Sequence, residues 1–125
     1  MALAADWFLI TGDMTAIPAI NNNLKGLPEK ARGYLVIEII SEQDQSLLNH
    51  SEVPDGLEII WLINALPDTT KTFSKAIIQL PWLNGEPTIW VAAELEEVLR
   101  VRHHFTTMPR IKKVICISVV TGNTE

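Results

Sequence analysis

Five strand-sized apolar runs, most of them followed by a stretch with helical spacing, constrain this chain more than any single motif. They lie at residues 7–11, 33–40, 57–63, 88–92 and 113–120 and are rich in Ile, Val, Leu and Trp. A strand exposed on one face alternates polar and apolar residues, whereas a strand covered on both faces has no need to alternate. These runs therefore predict buried strands. From Thr15 onward, Ile17, Ile20, Leu24 and Leu27 recur at three- and four-residue steps, with Pro18 tolerated in the first turn and Gly26 and Pro28 closing the helix. Phe73, Ile77 and Leu80 mark a second helical face that stops at Pro81, and Leu95, Val98, Leu99, Arg102 and Phe105 trace a third ahead of Pro109. Residues 41–54 are polar with a weak helical stretch at 45–48, residues 67–72 read as a loop, and Asp55-Gly56 and residues 84–87 read as turns. Strands alternating with helices predict an α/β fold, a doubly wound, mainly parallel five-stranded sheet with helices on both faces.

A length of 125 residues suits one domain, and we assign residues 1–125 to it. Ten Lys and Arg against fifteen Asp and Glu leave a net charge of -5, the wrong sign for a phosphate backbone, so nucleic acid is not an expected partner. With 47% hydrophobic residues the chain buries enough apolar surface to fold, yet no run reaches the roughly 18 residues of a spanning helix, so membrane insertion is not expected. The single cysteine, Cys116, has no internal disulfide partner and reads as an inert thiol inside an apolar run. Residues 1–6 carry no basic segment ahead of a long apolar core, which predicts no secretory signal and a cytoplasmic location.

In an open doubly wound sheet, ligands bind outside the carboxyl ends of the strands where the strand order reverses. With the first and fourth strands flanking that point, the crevice is lined by Gly12, Asp13, Met14, Thr15 and Ala16 on one side and by Ala92, Ala93 and Glu94 on the other. Both segments run into helices, whose first turns offer backbone N–H groups and partial positive charge to a pyrophosphate. Gly12 permits close backbone approach and Thr15 adds a hydroxyl. The same residues also suit plain helix capping, with Asp13 or Thr15 as the cap and Gly12 as a tight turn. Glu38, 26 residues beyond Gly12, is an acid in an otherwise apolar strand and suits hydrogen bonds from ribose hydroxyls. Glu94, Glu96 and Glu97 complement the dipole of the helix they open, while Arg102 further along is available to an anionic ligand.

Other chemistries lack their residues. No G-x-G-x-x-G and no Gly-Lys-Ser/Thr is present, so neither a standard dinucleotide fingerprint nor a P-loop is assigned. His103 and His104 point about 100° apart on a helix, and with His50 they gather no coordination shell, so no metal site is assigned. A phospho-acceptor receiver domain would need an acidic pair after the first strand, an Asp ending the third and a Lys ending the fifth; the chain offers Asp13, Ile63-Asn64 and no such Lys.

The segment Asp6-Trp7-Phe8-Leu9-Ile10-Thr11-Gly12-Asp13-Met14-Thr15-Ala16-Ile17-Pro18-Ala19-Ile20 resembles the D-W-F-L-x-x-G-D-x-T-A-x-P-A-I stretch of siderophore-interacting proteins. The likeness continues through Gly33-Tyr34, Val36-Ile37-Glu38, Ser41-Glu42 with Asp44, Trp61-Leu62 and Trp90-Val91-Ala92-Ala93-Glu94, then Val98 and Arg102. It implies the family's C-terminal half, an NAD(P)H-binding domain of the ferredoxin-reductase type, without the N-terminal FAD-binding barrel. Family members are cytoplasmic flavoproteins that take electrons from a reduced nicotinamide onto FAD and pass them to the iron of a ferric siderophore. The resemblance thus implies NAD(P)H as ligand, FAD only through a further domain, an FAD-binding domain and a ferric siderophore as partners, and no turnover by this domain alone. Ala93 stands where the family has glycine, and residues 119–125 replace its Tyr-Trp-Lys/Arg-x-Gly segment. An alternative reading keeps the fold as a non-catalytic partner-binding module, whose apolar surface left bare without the barrel is expected to promote self-association or pairing with an FAD-binding domain.

Overall fold

The computed structural model describes residues 5–64, 72–108, 111 and 113–118. Its strands are β1 (Trp7–Asp13), β2 (Arg32–Ile39), β3 (Gly56–Ile63), β4 (Pro87–Ala93) and β5 (Lys113–Ser118), and its α-helices are α1 (Ile17–Leu24), α2 (Thr72–Ile78) and α3 (Leu95–Thr106). All neighbouring strands are parallel and stand in the order β3-β2-β1-β4-β5, so the strand order reverses between β1 and β4 as the sequence predicts.

Strand periodicity divides the sheet's side chains between two cores. Phe8 and Ile10 of β1, Leu35, Ile37 and Ile39 of β2, and Trp90 and Ala92 of β4 meet Ile17, Ile20 and Leu24 of α1. On the opposite face Trp7, Leu9, Tyr34, Val36, Ile89, Val91 and Ala93 meet Phe73 and Ile77 of α2 and Val98, Val101 and Phe105 of α3. Coverage from both sides explains why β1, β2 and β4 read as unbroken apolar runs.

The first predicted helix is split, and Pro18 explains the split. A continuous α-helix from Met14 would require residue 18 to donate its N–H to the Met14 carbonyl, and proline has none. The Ile17 N–H bonds to that carbonyl instead, so Met14–Ala16 forms a 3-10 turn and α1 begins at Ile17. The polar 41–54 segment folds as two 3-10 turns, Glu42–Leu47 and His50–Glu52, rather than one weak helix at 45–48. Ser41 and Asp44 form a capping box that starts the first of them, and Asn21 of α1 anchors the segment by bonding the Leu47 carbonyl at 3.0 Å and the Asn49 N–H at 2.8 Å. Thr72, predicted as the end of a loop, opens α2; the rest of that loop, residues 67–71, and the end of the fifth predicted strand, residues 119–120, lie outside the described residues.

The amino end of the sheet is closed by the turn ahead of β4. Asp6 exchanges two hydrogen bonds with Glu86, at 3.1 and 2.8 Å, and the indole N–H of Trp7 donates to the Gly85 carbonyl. Gly85 has φ +101, and a Cβ there would meet the Asp6 side chain at 2.4 Å, so the turn requires glycine. Arg32 donates to the Asn84 carbonyl at 2.6 Å and the Tyr34 hydroxyl to that of Pro81 at 2.8 Å, which ties β2 to the same connection.

Candidate functional site

The reversal of strand order brings the two predicted loops together at the carboxyl end of the sheet. Gly12 is in register with Ala92, and Asp13 with Glu38, so the end of β1 lies between the ends of β4 and β2. Glycine at position 12 is a packing requirement, because a Cβ there would meet Ala16 Cβ and the Ala92 carbonyl oxygen, each at 2.8 Å. The lack of a Cβ lets the 3-10 turn and β4 close on each other.

Asp13 caps the 3-10 turn. One carboxylate oxygen accepts from the Thr15 N–H at 3.0 Å and from the Thr15 hydroxyl at 2.5 Å, so the capping reading of these two residues holds in the structure. By contrast α3, which opens from Glu94 at the end of β4, has no side-chain cap at its start. Of the two helical starts that meet at the reversal, α3 is therefore the one whose amide groups are not met by a capping side chain.

Glu38 lies on the α2 and α3 face and is buried, with 8% of its surface exposed. Burial raises its pKa above the ordinary glutamate value; Asn64, at the end of β3, opposes this by donating its amide to Glu38 Oε2 at 3.2 Å, and the negative charges of Asp13, Glu97 and Glu94 add to the rise. Glu97 itself accepts from the Ser74 N–H at 3.2 Å and pairs with Arg100 on its own helix. One residue inside the rim, Thr11 shares a strand face with Asp13 and is fully buried, and its hydroxyl has no hydrogen-bond partner. A buried hydroxyl normally finds a partner, and Thr11 is an exception among the described residues.

Most of the predicted site thus converges: Gly12, Asp13, Met14, Thr15 and Ala16 form one lip, Ala92, Ala93 and Glu94 the other, and Glu38 borders them on β2. Arg102 sits seven residues into α3, about 10 Å along the helix axis from its start, with its charge acting on Cys116 of β5. The methyl of Ala93 is buried in the core beneath α3, not raised into the crevice. Residues 119–125, which differ from the family's tail, lie outside the described residues. Thr11, Asn64, Ser74 and Glu97 were not predicted, and only Thr11 carried a signal, as a polar residue at the end of an apolar run. A small apolar pocket of about 110 Å³ among Trp7, Ile77, Trp82, Phe105 and Met108 lies at the other end of the sheet.

Residues 5–115 match the family described as siderophore-interacting protein. The chain belongs to the siderophore-interacting protein family. It is 33% identical over 100 residues to the ferric vibriobactin reductase ViuB of Vibrio cholerae, a match covering 78% of this chain and 36% of that protein. An uncharacterised protein of Mycobacterium tuberculosis is 30% identical over 105 residues, covering 77% of this chain and 36% of its own. Among solved structures, a siderophore utilization protein from T. fusca superposes with a TM-score of 0.79 at 23% identity, covering 100% of this chain and 49% of that one. The siderophore-interacting protein SipS from Aeromonas hydrophila gives 0.76 at 21% identity, covering 94% and 52%. Both share the parallel five-stranded α/β fold. This member of the family spans about a third of the length of the curated relatives it matches and about half of the solved chains. No helix among the described residues is long and apolar enough to cross a membrane.

Proposed function

We propose that this chain is the NAD(P)H-binding domain of an FAD-dependent ferric-siderophore reductase that releases iron in the cytoplasm, and that it is inactive without an FAD-binding domain. Family membership and the similarity to a protein named as a ferric vibriobactin reductase support the reductase setting. The observation that carries the nucleotide reading is the meeting, at the β1–β4 reversal, of the Gly12–Ala16 lip with a helix start that no side chain caps, beside the buried Glu38.

The residues fit the parts of a reduced nicotinamide nucleotide. The amide groups at the start of α3, with those of the Gly12–Ala16 lip, suit the pyrophosphate, although Asp13 already occupies the Thr15 amide. Glu38, held by Asn64, suits the adenosine ribose as an acceptor of its hydroxyl protons. Ala92, Ala93 and Glu94 lie on the nicotinamide side. When bound, the nicotinamide supplies a hydride; this chain's task is to hold and orient it toward an acceptor carried by another domain. Arg102 remains a candidate partner for an anionic part of the nucleotide.

Calorimetric titration of the chain with NADH and with NADPH tests the proposal. Saturable binding is expected, with Glu38→Ala altering the ratio of the two affinities. Absence of binding at millimolar nucleotide, in a chain shown to be folded by circular dichroism, would overturn it.

A further inference from the structure

We propose that two copies of this chain associate through the β5 edge, with β5 of each copy antiparallel about a two-fold axis, so that one sheet runs through both. Among the described residues β5 has β4 as its only strand neighbour, which leaves a row of backbone donors and acceptors unpaired along its outer side. Folded proteins usually blunt such edges with charges, prolines or bulges. The described β5 has one charge, Lys113 at its first position, followed by Val114, Ile115, Cys116 and Ile117. Val114, Ile115 and Cys116 are half-buried and Ile117 is 41% exposed, where β4 beside them is buried throughout. The other edge, β3, is guarded by Glu58 in mid-strand and by the 41–54 segment, whose His50 ring contacts Trp61.

Helix α3 adds a matching surface. Val98, Val101 and Phe105 face the core and Glu97 faces α2, so Leu95 and Leu99 fall on the flank turned toward β5, where they are 55% and 47% exposed. α3 packs on β4 and β5. Strands spaced about 4.8 Å apart then set α3 and its copy roughly 10 Å apart across the edge, the separation at which helices pack. The levels agree as well. α3 starts beside the carboxyl end of β4 and runs back along the sheet, so four residues at about 1.5 Å each bring Leu99 level with Cys116, near the middle of β5. A single axis through Cys116 and Leu99 serves strand and helix together. About that axis Ile117 stands opposite Ile115 of the second copy on the sheet's other face, and Glu96 comes level with Arg102 of the second copy, an opposite charge. The surface is therefore self-complementary, as a two-fold interface must be.

The test is size-exclusion chromatography with light scattering on the full chain from micromolar to millimolar concentration, with hydrogen exchange of the β5 amides followed in parallel. The expected result is a mass that doubles with concentration while the outward amides of β5 gain protection. Leu99→Glu and Ile117→Lys alter exposed side chains, so the fold is retained, and each is expected to weaken association by about tenfold or more. Ile78→Lys, an equally exposed change at the far end of α2, is expected to leave it unchanged. A chain that stays monomeric throughout, a dimer indifferent to both β5-edge variants, or one weakened equally by Ile78→Lys would each overturn the proposal.

Discussion

Thr11 and Glu38 are where this structure departs from what its surroundings favour. Thr11 closes the apolar run of β1 in sequence, and its hydroxyl is buried without a hydrogen-bond partner. Thr11→Val keeps the shape and removes the unpaired group, so it is expected to stabilise the chain by about 1 kcal/mol, read as a raised Tm. Nucleotide affinity is expected to be unchanged in this variant, because the hydroxyl is fully buried; weaker NADH binding by the more stable chain would tie Thr11 to the site. Glu38 sets a pH dependence. Burial raises its pKa in the folded chain, so the native state binds that proton more tightly than the unfolded state does. Its contribution is complete below the ordinary glutamate range and is lost as pH rises through the raised value. Glu38→Gln is therefore expected to flatten the fall of Tm with rising pH over that interval, and an unchanged slope would remove Glu38 as its source. An acid within an apolar run already marked Glu38 as unusual. Its partner Asn64 was not legible, because only the β2–β3 register brings the two side chains together.

Elements were legible where one periodicity ruled and less so where a single hydrogen bond decided. The five strands and the buried Phe73 and Ile77 of α2 follow from apolar spacing, but the face of α3 does not. Of the predicted Leu95, Val98, Leu99, Arg102 and Phe105 only Val98 and Phe105 are buried, with Val101 beside them, while Leu95 and Leu99 are 55% and 47% exposed. The 3-10 turn at Met14–Ala16 depends instead on one missing N–H at Pro18, and the two 3-10 turns between β2 and β3 depend on a local capping box that apolar spacing does not reveal. Asp6 and Trp7, which open the stretch resembling the family motif, prove to act on the fold: they hold the turn at Gly85 and Glu86, at the end of the sheet away from the crevice. Asp6→Ala is expected to cost about 1–3 kcal/mol, measured by urea unfolding, and to leave nucleotide affinity unchanged. Loss of binding in a chain that remains folded would instead tie this turn to the site.

Across the whole molecule the two ends of the sheet do different work. The amino end is sealed by hydrogen bonds from Asp6, Trp7, Arg32 and Tyr34 to a single connection, which fixes the strands in register. The carboxyl end gathers the lips of β1 and β4, the buried Glu38 and the uncapped start of α3. The crevice was legible only on the premise that the first and fourth strands flank the reversal, which the observed strand order bears out; the sealing of the amino end was not legible, because it rests on single hydrogen bonds to one turn. The most direct test of the account is a map of backbone amide shifts as NADH is added to the isotopically labelled chain. The account predicts that shifts concentrate at residues 11–16, 38 and 92–97 and spare the turn at 84–87; shifts centred on that turn, or none at saturating NADH, would contradict it.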